Sequence, residues 1–95
     1  MYIILLTFSD NKASAAGHMD GHKNWIKKGI EDGIFLIVGS LQPNRGGAII
    51  AHGIESDALA RRIKEDPFVV DNVVKAEIME VTPSAAHESV KFLLG

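Results

Sequence analysis

The chain has 95 residues and a mass of 10.3 kDa, room for one domain built on one small core. Hydrophobic residues make up 46% and charged residues 23%, which excludes a disordered chain, and the formal net charge of -2 comes with no basic stripe for nucleic acid. There are no cysteines, so a disulfide scaffold, thiol catalysis and a thiolate zinc site are excluded too.

Residues 2–8 are rich in β-branched and aromatic side chains and read as a strand. No basic segment precedes them and Ser9-Asp10 closes them, so neither a signal peptide nor a membrane span is expected, and the protein is read as cytoplasmic. Residues 10–14 are polar and read as a loop. Over 15–32 the period becomes helical, and Gly33 stops it. Residues 34–38 form a second strand, 39–47 a turn-rich stretch, and 48–54 a third strand. Ser56 is placed to cap a second helix over 57–65, which Pro67 ends. Residues 73–81 form the fourth strand, and an amphipathic tail, 84–95, follows a core domain of 1–83.

The order β-α-β-β-α-β predicts an α+β, ferredoxin-like domain with a four-stranded antiparallel sheet and both helices on one face. Strands with one solvated face alternate apolar and polar residues. Residues 3–6, 34–38 and 49–51 are apolar on both faces, and only the fourth strand alternates, Val74, Ala76 and Ile78 against Lys75 and Glu77. The uncovered apolar face predicts a homodimer formed through the sheets.

On a helical wheel Ala15, His18, Met19, His22, Trp25, Ile26, Gly29 and Ile30 share one arc, opposite Asp20, Lys23, Asn24, Lys27, Lys28 and Glu31. His22 lies at the centre of the apolar arc. Alone it reads as a core histidine bonded to a backbone carbonyl. In the second helix Leu59 and Ile63 mark the buried stripe, and Asp66 falls on the same side. Alone it reads as a helix-end residue that turns outward or bonds amides in the Asp-Pro turn. Taken together, two helices on one sheet face each present an ionisable group to the same space. A carboxylate beside an imidazole fixes its tautomer and raises its basicity, as a general base requires.

His22 with Gly29 and Gly33 after it, the turn Gly39-Ser40-Leu41, Gly46-Gly47, Ser56 and the run Glu65-Asp66-Pro67-Phe68-Val69 together resemble the YCII-related family of the dimeric α/β barrel superfamily. The resemblance runs from the first strand to Pro83. It implies the ferredoxin-like fold, dimerisation through the sheets, and a pocket whose catalytic pair would be His22 and Asp66. Family members often carry Gly-Pro-Leu where this chain has Gly39-Ser40-Leu41, and an aromatic where Ser84 follows Pro83.

Around that pair the expected substrate-binding residues are His18 at the pocket mouth or in solvent, Trp25 as core or pocket wall, Ser40, Arg45 and Phe68. Phe68 anchors the turn into the core. Arg45, before a glycine pair, is the anion-binding candidate, against the plainer reading of a solvated hairpin arginine. His18 and His22 have the i, i+4 spacing of metal ligands, but no HExxH motif accompanies them and no metal is expected. His52, as an edge residue, has no evident partner, and His87 in the tail reads as a surface residue. The glycines precede a strand, not a helix, so neither a P-loop nor a dinucleotide fingerprint is present and no cofactor is expected. The sequence thus points to a small lyase, isomerase or hydrolase acting on a small organic molecule. The alternatives are a non-catalytic ligand-binding or interaction dimer, or a structural dimer whose pair satisfies only itself.

Overall fold

The computed structural model describes residues 1–95. Strand β1 (Tyr2–Phe8) leads through a short 3-10 turn (Lys12–Ser14) into helix α1 (Ala15–Glu31). Strands β2 (Phe35–Leu41) and β3 (Gly46–Ala51) form a hairpin, followed by α2 (Ser56–Ile63), a single turn α3 (Pro67–Val70) and β4 (Val74–Glu80). The sheet order is β2-β3-β1-β4, with every neighbouring pair antiparallel. This is the ferredoxin-like α+β topology. No helix is long and apolar enough to cross a membrane.

Alternation along β1 sends Tyr2, Ile4 and Leu6 to one face, where they are buried with Phe35, Ile49 and Ala51 beneath Leu59, Ile63 and Phe68 of the helices. Burial, with the carboxylates of Glu80 and Glu55 nearby, raises the Tyr2 phenol above its ordinary 10.0, so it remains the donor to Ile54 O at 2.8 Å. The register sends Ile3, Leu5, Ile50 and Met79 to the opposite face, with Ile37 beside Ile50. Leu59, Ile63 and Phe68 of the helices pack on the first face, and on this one Ile37 is 64% exposed.

Helix α1 sits unusually close to its neighbours because two glycines face them. A Cβ at Gly29 would fall 2.2 Å from Phe35 Cδ2, and one at Gly21 would fall 3.0 Å from Pro67 Cγ. The second approach brings the middle of α1 against the start of α3. Gly33, at φ 76, occupies the left-handed region that ends α1.

The structure corrects several expectations. Strand β2 continues through Ser40 to Leu41, since Gly39, Ser40 and Leu41 pair with Ala48, Gly47 and Gly46, and the true turn is confined to residues 42–45. Ser56 begins α2 and does not cap it: the N-cap is Glu55, with no side-chain cap bond. On β4 only Val74 is buried, while Ala76 and Ile78 are exposed. Helix α2, at ~1.5 Å per residue, is ~12 Å long and leaves the far half of a ~23 Å strand uncovered. Ile30, on the apolar arc of the wheel, is 50% exposed. His52 follows an interior strand, not an edge, and its ring meets Phe92 edge-on at 5.4 Å. The tail forms a kinked 3-10 segment (Glu88–Leu94), capped by His87, whose Nδ1 accepts from Ser89 N–H.

Candidate active site

The site is built where α1 crosses the start of α3. Pro67 occupies the first turn of α3, where its missing N–H costs nothing, and Asp66 before it is the N-cap. Asp66 Oδ1 accepts from the Phe68 amide at 3.0 Å. The same oxygen lies 2.8 Å from His22 Nδ1. Asp66 therefore does not turn outward: it caps the Asp-Pro turn, and it also pairs with the helical histidine. Asp66 is fully buried, and its Oδ2 has no hydrogen-bond partner.

Aromatic contacts hold the imidazole. Phe68 stacks on it with centroids 4.0 Å apart and planes 4° from parallel; Trp25 lies 6.0 Å away on the same helix. Trp25 is fixed in turn by an edge-on contact with Phe35 at 5.0 Å and by donating its indole N–H to Arg62 O at 2.9 Å. The His22 side chain keeps 14% of its surface accessible, and its second nitrogen, Nε2, makes no hydrogen bond within the protein.

His22 borders a cavity of about 340 Å³ between α1, α3 and the sheet. Its walls are apolar, formed chiefly by Leu6, Phe8, Ile26, Val38, Ile49 and Phe68. Gly47 shares the helix-facing side of β3 with Ile49 and supplies backbone alone, so the floor of the cavity reaches the strand. The polar side chains on the cavity are His22, Ser40 and Lys23.

Of the residues expected from the sequence, His22, Ser40 and Phe68 border the cavity, and Asp66 stands behind His22. Trp25 lies outside the lining and acts as packing that holds His22. His18 is not at the mouth. One turn before His22, it bonds through Nε2 to Asp71 Oδ2 at 2.7 Å on the exposed surface. The two histidines thus go to separate carboxylates, and no three His, Asp or Glu residues converge as metal ligands. Arg45 is also outside the cavity, on the exposed turn. Its N–H donates to Leu41 O and its carbonyl accepts from Phe8 N–H, while Gly46 and Gly47 belong to the β3 ladder and do not converge on an anion. Lys23, which the wheel placed on the solvated arc, is exposed and also borders the cavity. The local signal was its position directly after His22.

Asp66→Ala removes both the cap of α3 and the partner of His22. Loss of the cap alone lowers stability by about 1–2 kcal/mol, and the buried Phe68 amide left without an acceptor adds to it, measurable by urea denaturation.

Neither protein-family models nor curated proteins match the chain. The four-stranded antiparallel sheet with its helices is a ferredoxin-like α+β fold. Among solved structures the chain is similar to TftG, the 5-chloro-2-hydroxyhydroquinone dehydrochlorinase of Burkholderia phenoliruptrix AC1100, in complex with 2,5-dihydroxybenzoquinone. The TM-score is 0.68 at 10% identity, over 85% of this chain and 93% of that one. At this identity the two share a fold.

Proposed function

We propose that this protein is a small cofactor-independent enzyme of the lyase type, with His22 as general base and Asp66 as the group that orients it. The observation that carries this reading is the 2.8 Å contact between His22 Nδ1 and a fully buried Asp66, made beside an apolar cavity. An ionised Asp66 holds the proton on Nδ1, so Nε2 keeps its lone pair and is the basic atom. Nε2 removes a proton from a small organic molecule in the cavity. The electron pair of the broken bond forms a new double bond, and a leaving group departs with its own pair. Asp66 stabilises the imidazolium, which returns its proton to solvent. The unpartnered Oδ2 favours this reading over a purely structural pair, because a buried carboxylate with an unsatisfied oxygen is poor for stability. The name of the neighbour of like fold, a dehydrochlorinase, favours elimination over the isomerase and hydrolase alternatives.

The test is nitrogen NMR of ¹⁵N-histidine protein titrated with 2,5-dihydroxybenzoquinone. His22 is expected as the Nδ1–H tautomer, with an Nε2 signal that moves on ligand addition. An Nε2–H tautomer, or a ring that responds to no ligand, would return His22 to the scaffold.

The reading includes a homodimer joined through the open sheet faces, carried by Ile3, Leu5, Ile37, Ile50 and Met79. Covering a few hundred Å² of such surface supplies several kcal/mol at about 25 cal/mol per Å². Leu5→Lys places a charge at the middle of this face. Sedimentation should show a dimeric parent and a monomeric variant with unchanged circular dichroism; a parent that stays monomeric at micromolar concentration overturns the assembly.

A further inference from the structure

We propose that the cavity takes a small molecule whose apolar body carries a negative charge, such as a carboxylate, phenolate or enolate, and that Lys23 selects and positions it. The inference rests on reading the cavity as the site and adds the chemical class of its occupant. Three polar side chains border the cavity, His22, Ser40 and Lys23, and Lys23 alone among the lining residues carries a permanent charge at neutral pH. Its ammonium makes no ion pair, whereas Lys27 pairs with Glu31 and Lys91 with Glu88. No carboxylate borders the cavity, and Asp66, the acid behind it, is sealed from solvent and occupied by His22 and Phe68. A second ammonium, Lys12 Nζ, sits 4.4 Å from the centroid of Phe8, a wall residue, and adds to the positive field.

These charges sort possible occupants. A cation meets Lys23 and finds no counter-ion. A neutral molecule leaves Lys23 to water. An anion gains a charge-assisted hydrogen bond at the rim while its apolar body displaces water from Phe8, Ile26, Val38 and Phe68. The volume of about 340 Å³ suits a single ring or a short branched chain. Lys23 follows His22 directly on α1, so a molecule gripped at its anionic end is held with its body beside the imidazole. The same ammonium opposes the negative charge that grows on a substrate as His22 takes its proton.

The experiment titrates the full chain with benzoate, benzamide and benzylamine, three single-ring probes of different charge, following the ring signals of His22. Benzoate is expected to bind about ten- to a hundredfold more tightly than benzamide, with benzylamine weakest. Lys23→Met should bring benzoate down to the benzamide level, and Lys23→Arg should keep the preference. Equal binding of benzoate and benzamide, or a preference that survives Lys23→Met, overturns the charge assignment and leaves the cavity as a site. If no probe, 2,5-dihydroxybenzoquinone included, moves His22, the site and this inference fall together.

Discussion

Replacing His22 by asparagine lowers turnover by about a hundred- to ten-thousandfold while the protein stays folded. Asparagine is the informative replacement because its amide nitrogen stands near the position of Nδ1. It can still donate to Asp66 Oδ1, so the buried carboxylate is not stranded, and what disappears is the basic Nε2. Alanine would confuse two effects, since breaking a buried charged pair is itself destabilising. Asp66→Asn is the companion variant. One oxygen, Oδ1, receives both the His22 contact and the Phe68 amide, so an asparagine carbonyl there keeps both hydrogen bonds and the helix cap. The charge is lost, and the amide nitrogen takes the place of the unpartnered Oδ2, so some stability, about 1–3 kcal/mol, goes with it. Initial rates and thermal melts separate base from scaffold: a fall in rate without a fall in melting temperature in His22→Asn, and a fall in rate larger than the unfolded fraction explains in Asp66→Asn, support the pair as chemistry. Unchanged turnover in His22→Asn would remove His22 from the reaction.

Gly29→Ala destabilises the protein by about 1–3 kcal/mol, against the ordinary preference of helices for alanine. In an exposed helix interior the same change adds about 1 kcal/mol of stability. Here the new methyl would fall 2.2 Å from Cδ2 and 2.4 Å from Cε2 of Phe35. Phe35 is only 2% exposed and is held edge-on by Trp25, so the ring has nowhere to turn. Overpacking therefore outweighs propensity. The consequence reaches the site, because Trp25, which rests on Phe35, also stands 6.0 Å from His22. Urea denaturation gives the sign directly. A Gly29→Ala protein more stable than its parent would mean that α1 can lift from the sheet at no cost.

The elements and their order were legible because each rests on local chemistry. β-Branched and aromatic residues crowd Tyr2–Phe8, the helical period is clear over Ala15–Glu31, and Gly33 adopts the positive φ that closes it. The pairing of His22 with Asp66 was legible too, since each lies on the buried side of its own segment and the topology puts both helices on one sheet face. Position along the chain served less well where reach or pairing decides. Arg45 looked like an anion ligand because two glycines follow it, yet both glycines are used by the sheet ladder, and the guanidinium is left on the turn. Lys23 is exposed, as the wheel placed it, yet it also borders the cavity, which a wheel of one helix does not show. His18 looked like a neighbour of the pocket, but Asp71, five residues after Asp66, draws it to the surface.

The topology, and which two ionisable residues lie on the helix-covered side of the sheet, follow from the order of residues along the chain. Hydrophobic periodicity and turn chemistry are local properties and can be read along the chain. Which atoms meet comes from the packing of the folded chain: Nδ1 is the nitrogen that faces Asp66, Phe68 stacks on the imidazole, and Lys23 borders the cavity. Those contacts depend on how closely α1 can approach Phe35 and Pro67, a distance set by packing between segments remote in sequence, and the pattern of residues within either segment does not encode it.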